Sequence, residues 1–419
     1  MTGREKLERA LAHQAGPVPL DLGATSVTGI HCSVVEGLRK YYGLDPHPVP
    51  ISDPYQMLGI LEDDLLNAMG IDTGCIFNDA TIFGFPLGAD KEWVTPWGQT
   101  VLVSKEFQTT VCADGSVLIY PCGDLSSPPC ARMPASGYFF DTIIRGHDYQ
   151  EDSSNVQDNL EEFQVLEPRA LQVMKQQLRR WAGQQRGLVA QVSGCAIGDV
   201  ALVPAPMLRH PKGLRDITQW YMATVADPDY LHQIFQAQVE IALQNLQLTW
   251  ETLGDAVSVV FLRGTDFGMQ NVPFCSNETF RDLYAPYYRR MNDWVHEHTT
   301  WKTMKHSCGS IRPLLKDLVE VGFDIINPVQ WSARNMDPVD LKKTFGADIT
   351  FWGGGVNTQK TLPFGTPEEV RTEALQCLET FARDGGYVFS SIHNIQAKTP
   401  VENVAALVAA VHEFNGEAI

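Results

Sequence analysis

The stretch Trp301-Lys302-Thr303-Met304-Lys305-His306-Ser307-Cys308-Gly309 decides how the rest of the chain is read. It is a β-rich run that stops just before a helical pattern opening near Ile311. In an extended strand residues i and i+2 point to the same face, so His306 and Cys308 present an imidazole and a thiol side by side. That pair suits Zn²⁺ better than Mg²⁺ or Ca²⁺. Two ligands do not make a site, however, and an ordinary packed strand is the competing reading until a third appears.

Working outward, the same strand-then-helix unit recurs. Short apolar strands at 257–262, 301–306, 324–327, 349–353 and 387–391 are separated by amphipathic helices near 278–297, 311–321, 338–344, 367–383 and 400–414. Upstream, strands at 17–21, 71–77 and 188–194 alternate with helices at 3–14, 33–42, 54–69, 168–183 and 211–253. The 54–69 helix rests on Leu58, Leu61, Leu65 and Leu66 sharing one face. Eight strands alternating with helices give the α/β class and a (β/α)8 TIM barrel, with a doubly wound open sheet as runner-up.

Between 80 and 150 the pattern changes to Trp, Gly, Thr, Val and Pro in short alternating runs, 92–103, 108–111 and 116–120, the last after an Asp114-Gly115 turn. The expected organisation is therefore one barrel domain, 1–419, with an inserted β-meander subdomain at 80–150. The Pro- and Ser-rich tip at 122–134 is either a lid or a solvated loop. Trp93, Trp97, Tyr120, Tyr138, Phe139 and Phe140 either line an aromatic pocket or form the insert's own small core. The insert itself is expected to close over substrate or to join two copies in a homodimer.

Composition narrows the classes of function. With 44% hydrophobic and 20% charged residues the chain is not of the disordered type. Fifty acidic against thirty-two basic residues give a net charge of −18, and no basic patch offsets it, which argues against nucleic acid and anionic membranes as partners. The first residues read as an amphipathic helix rather than a signal peptide, and no apolar run approaches the roughly 20 residues that span a bilayer, so a cytoplasmic location is expected. Nine scattered cysteines without a CxxC pair point to reduced thiols, with a Cys122–Cys130 bridge the minor alternative.

In a barrel of this kind the active site gathers at the carboxyl ends of the strands. Those ends carry Asp21; Asn78 and Asp79; Ser193 and Cys195; Asp266 and Gln270; His306 and Cys308; Asn327 and Gln330; Asn357 and Gln359; and His393 with Asn394 and Gln396. His306 and His393 converge on one mouth. The helix after His393 is expected to open on a capping box of Thr399 and Glu402, with Pro400 at its first position.

Four motifs carry a family resemblance: His306-Ser-Cys308-Gly309; Asp266-Phe-Gly-Met-Gln270 before Ser276-Asn-Glu-Thr-Phe; Gly365-Thr-Pro-Glu-Glu-Val370; and Lys398-Thr-Pro-Val-Glu-Asn403. Over 1–45 and 187–415 the chain resembles the uroporphyrinogen decarboxylase superfamily, in particular its zinc-dependent, corrinoid-linked methyltransferase branch. The decarboxylases hold acidic tetrapyrrole side chains with an arginine-rich amino-terminal segment, whereas residues 22–31 here contain no arginine. The thiol-alkylating methyltransferases place zinc on His-x-Cys plus a second Cys in the eighth-strand loop, where this chain has His393.

The resemblance thus implies a zinc set of His306, Cys308 and His393 with an open fourth position. Two imidazoles and one thiolate leave the metal unit at +1, a stronger Lewis acid than the neutral two-thiolate version. The expected activity is methyl transfer from a small methylated substrate, such as a methyl ether undergoing O-demethylation, to the corrinoid (cobalamin) of a separate protein. Asp266 and Gln270 are the expected catalytic residues, with Asp266 either a proton donor whose pKa burial raises or a loop brace. Asn327, Gln330, Asn357 and Asp21 are the expected substrate contacts. The alternatives are a carboxy-lyase acting on a tetrapyrrole or smaller acid, for which Arg263 and Arg334 are the nearby cations, and a non-catalytic corrinoid or tetrapyrrole binder.

Overall fold

Seven strands run parallel in one curled sheet in the computed structural model, which describes residues 1–146, 155–263 and 266–417. They are β1 (Thr73–Ile76), β2 (Gly187–Gln191), β3 (Val259–Arg263), β4 (Lys302–His306), β5 (Ile325–Asn327), β6 (Thr350–Trp352) and β7 (Tyr387–Val388), and each pairs with its neighbour in chain order. The two edges meet through residues 19–21. Leu20 bridges Phe389 in parallel, the Asp21 N–H donates to Phe389 O at 2.9 Å, and on the other side the Asp72 N–H donates to Leu20 O at 2.9 Å. With that eighth stave the sheet closes as a barrel.

All eight staves fall where the sequence places them, because parallel strands covered on both faces are mostly apolar, and β4, the polar exception, carries its Lys305 and His306 buried. Val189, Val259, Phe261, Met304, Ile325, Trp352 and Val388 form one buried cluster with Leu7, Ala10 and Leu11 of the helix Gly3–Leu11. That helix opens on a capping box between Thr2 and Glu5. It packs so tightly on the start of β2 that a Cβ at Gly187 would lie 2.3 Å from Leu7. The amino-terminal end of the barrel is thereby plugged, and the carboxyl end is left for chemistry.

Several expectations need correction. The run 54–69 is not one helix: Leu58–Gly59 is a strand paired with Ile30–His31 and Val49–Asp53, and only Asp63–Ala68 is helical. Met57 has φ +53, and a Cβ at Gly59 would meet Val49 at 2.6 Å, so the chain turns sharply and packs too closely there for a helix. The 122–134 tip is not all loop, since Ala131–Met133 pairs with Val117–Ile119. Thr399 does not cap the last helix, which begins after Pro400 with no side-chain cap.

The β-rich segment makes two small sheets. Lys91–Val94 and Thr100–Val103 extend the sheet containing Ile30–His31, Leu58–Gly59 and Val49–Asp53, while residues 109–142 supply the other. Trp93 packs on Phe107 within the insert, while Trp97 packs on Tyr138 and on His31, which joins the insert to the barrel's own segment. Residues 147–150 of the expected insert lie outside the described residues. All nine cysteines are free. Among the described residues no helix is long and apolar enough to cross a membrane.

Candidate metal centre

Alternation along β4 sends Met304 and His306 into the barrel and Lys305 to the other face, over the rings of Phe267 and Tyr288 at 5.1 and 5.4 Å. Burial pushes the Lys305 ammonium down to about 8, against the pull of Asp266 and Asp199. His306 is buried at the strand's end, with its Nδ1 2.6 Å from Asn327 Oδ1. Asn327 in turn donates through Nδ2 to Trp352 O at 3.0 Å, which fixes its oxygen toward the imidazole. The proton of a neutral His306 therefore sits on Nδ1, and the Nε2 lone pair is left to face Cys308.

Nε2 points at Cys308, whose Sγ is 3.4 Å away. The turn that brings them together depends on two glycines. Gly309 has φ +83, and a Cβ there would lie 2.6 Å from Gly268 and Met269 backbone; a Cβ at Gly268 would lie 2.3 Å from Cys308 O. The Asp266 loop is thus pressed against the Cys308 turn. Asp266 Oδ1 accepts the Cys308 N–H at 2.8 Å, Ser307 Oγ accepts the Phe267 N–H at 2.8 Å, and Gln330 Oε1 accepts the Gly309 N–H at 2.8 Å.

His393 arrives from the loop after β7, its ring centroid 5.4 Å from that of His306. One ligand atom each from His306, Cys308 and His393 lies within 4.8 Å of the others. Burial and then His306 push His393 down to about 4, and burial lowers His306 against the opposing charge of Asp266. Both imidazoles are neutral near pH 7. Burial, reinforced by Asp266, holds the Cys308 thiol well above its ordinary value. Two neutral imidazoles and one thiol, one ring oriented by an amide oxygen behind it, are a donor set that fits zinc. Entry of the ion would displace the thiol proton.

The other expected residues divide. For Asp266, burial pushes the carboxyl up, but His306, the Cys308 N–H, Lys305 and His393 together pull it below the ordinary range. It is a carboxylate 3.6 Å from His306 Nε2, not a proton donor of raised pKa. Gln270 is exposed and joins Ser332 O to Gln330, so it braces the loops. Asn357 turns to its own loop, accepting the Gln359 N–H at 2.9 Å. Asp21 is fully buried and takes hydrogen bonds from Thr73, Trp352 and the Ala24 N–H, which leaves it a structural anchor between staves rather than a substrate contact.

A cavity of about 390 Å³ opens from His306, His393 and Asp266 across the barrel mouth. Its far side holds Arg263, Asp53 and Asp199, of which only Arg263 drew notice in the sequence. Burial pushes the carboxyls of Asp53 and Asp199 up to about 6. Neither Asp53 nor Asp199 stands at an expected strand end: no strand is expected from the sequence at 49–53, where Val49–Asp53 forms one, and Asp199 lies in an irregular loop with no motif.

The sequence profile described as Uroporphyrinogen decarboxylase (URO-D) matches residues 155–414. Proteins named uroporphyrinogen decarboxylase are similar in part. One from Coxiella burnetii is 39% identical over 101 residues, covering 24% of this chain and 26% of that protein. One from Anaeromyxobacter dehalogenans is 30% identical over 139 residues, covering 33% and 37%. The matched segments therefore span well under half of those relatives' length. Among solved structures, a methyltransferase from Methanosarcina mazei matches in fold over 99% of both chains, with a TM-score of 0.56 and 17% identity.

Proposed function

Because the chain belongs to the uroporphyrinogen decarboxylase (URO-D) family, we propose that it is a zinc-dependent methyltransferase moving a methyl group between a small methylated substrate, such as a methyl ether, and the corrinoid of a separate protein. The observation that carries this reading is the cluster of His306, Cys308 and His393 at the end of a substrate-sized cavity. A solved methyltransferase with the same fold supports it. The same reading takes residues 1–419 as one barrel domain with 80–150 inserted, working in the cytoplasm.

Bound by two neutral imidazoles and one thiolate, zinc would act as a Lewis acid on the heteroatom carrying the methyl group, and the partner's corrinoid would receive that group. The chain's own residues prepare that end of the cavity. Asn327 holds the His306 ring so that Nε2 faces the cavity, and Asp266 fixes the Cys308 turn through its N–H. The loop braces Gln270 and Gln330 tie the turns after β3, β4 and β5 together.

The decarboxylase reading carried by the relatives' names meets an electrostatic obstacle. Residues 22–31 contain no arginine, and among the described residues lining the cavity Arg263 is the one Lys or Arg. A substrate with several carboxylates would meet too little positive charge. Incubating the protein with a reduced corrinoid protein and a panel of methyl ethers should give methylcobalamin absorbance with at least one of them. Ready methylation of a thiol, with no methylcobalamin from any ether, would contradict demethylation.

A further inference from the structure

We propose that Arg263 anchors a carboxylate group of the substrate, so that the small molecule this cavity takes is a carboxylic acid. The inference rests on reading the His306–Cys308–His393 end as the reaction centre. It starts from a local irregularity in β3, where the pairing with β4 shifts register between Phe261 and Arg263. Such a bulge re-aims the side chain at its end. Arg263 also sits at φ +57, a left-handed conformation that only special circumstances impose on a long side chain.

The guanidinium is held in place by neutral partners. Nη2 donates to Gln191 Oε1. With its amide nitrogen directed at Gln191 O and Ser193 Oγ, Asn78 offers its oxygen to the same Nη2 at 3.0 Å. Nε is buried without an acceptor among the described residues. Lys305 supports the turn from behind by donating to Arg263 O at 3.1 Å. The carboxylates that face the group, Asp53 and Asp199, act on it through space, each with one oxygen tied to a backbone N–H, that of Tyr55 at 2.9 Å and Ala201 at 3.0 Å.

A guanidinium does not lose its proton in neutral solution. It pairs with carboxylate and phosphate alike. Beside Asp53 and Asp199, however, a singly charged carboxylate meets less repulsion than a phosphate dianion, and since Gln191 and Asn78 take both Nη2 protons it would be met by Nη1. Tyr55, Phe77 and Phe261 line the same cavity and supply an apolar surface for the body of such an acid. The acid group would sit at Arg263 while the rest of the molecule reaches toward His306 and His393.

The test is isothermal titration of the zinc-loaded full-length chain with benzoate, benzamide and benzylamine as probes of one shape and three charges. Benzoate should bind at least tenfold more tightly than benzamide, and Arg263→Gln should erase that difference with zinc content unchanged and the chain still folded. Equal binding of benzoate and benzamide, or tightest binding of benzylamine, would overturn the proposal. So would a benzoate preference that survives in Arg263→Gln, since the metal would then be holding the acid. If Arg263→Gln does not fold, the same titration on Cys308→Ala decides: a retained preference supports Arg263, and a lost one overturns it. An Arg263-dependent preference in a chain that transfers no methyl group would leave this inference standing and remove only the methyltransferase reading.

Discussion

At the β4 side of the cavity the groups around His306 are committed to one another: Asn327 to its Nδ1, Asp266 to the Cys308 N–H, Gln330 to the Gly309 N–H. At the β3 side Arg263, Asp53 and Asp199 face one another without that closure, and among the described residues Arg263 Nε has no acceptor. The first side is built like a metal site, where neutral donors must be oriented before the ion arrives. The second holds charges that burial disfavours, and retaining them costs stability that a ligand can recover. The barrel supports both because each side hangs on a different strand end.

The sharpest way to break this contrast is at the ligands. Cys308→Ala and His393→Ala should each abolish methyl transfer measured as methylcobalamin formation, whereas Gln270→Ala, a brace, should retain most of it. Equal loss in all three would mean that the β4 side is a packing unit and not a donor set.

The β3 side is tested by pH. Asp53 and Asp199 titrate near 6 in the folded chain, above the ordinary 3.8, because burial disfavours their charged forms. Stability from each is present at low pH and is lost as pH rises through about 6. At pH 7.5 Asp53→Asn or Asp199→Asn should therefore gain up to about 3 kcal/mol over wild type, and far less at pH 4.5. Urea unfolding at the two pH values measures this, and a gain that does not change with pH would show that the carboxyls are not destabilised.

Smaller effects refine the metal side. Asn327→Leu removes the acceptor that orients His306 and should weaken zinc binding roughly 10- to 100-fold without removing a ligand. Competition with a chromophoric chelator reads this directly. Zinc loading in weak buffer should release about one proton per ion, from the Cys308 thiol, because both imidazoles are already neutral. Release should vanish in Cys308→Ala.

The barrel was legible because most of its parallel strands are apolar on both faces, so even strands of two or three residues such as β7 stood out between helices. His306, Cys308 and His393 were legible as residues at strand ends. Asn327 was legible as a neighbour, but its task of fixing a tautomer appears only with Trp352 O behind it. Asp21 was misjudged because a strand-end position does not tell which way a side chain turns, and here it points between Thr73 and Trp352. Arg263 was legible as a cation near the barrel mouth, but its aim into the cavity was not, since a bulge leaves no mark in the pattern of apolar residues. Leu58 and Leu61 mimicked a helical stripe while the backbone made a bridge to Ile30–His31.

The most direct test of the central claim is elemental analysis of zinc in the chain purified without chelator, beside Cys308→Ala and His393→Ala. About one zinc per chain in the wild type and none in either variant is the predicted result. A wild-type chain that holds no zinc even after reconstitution, or variants that retain it in full, would contradict the account.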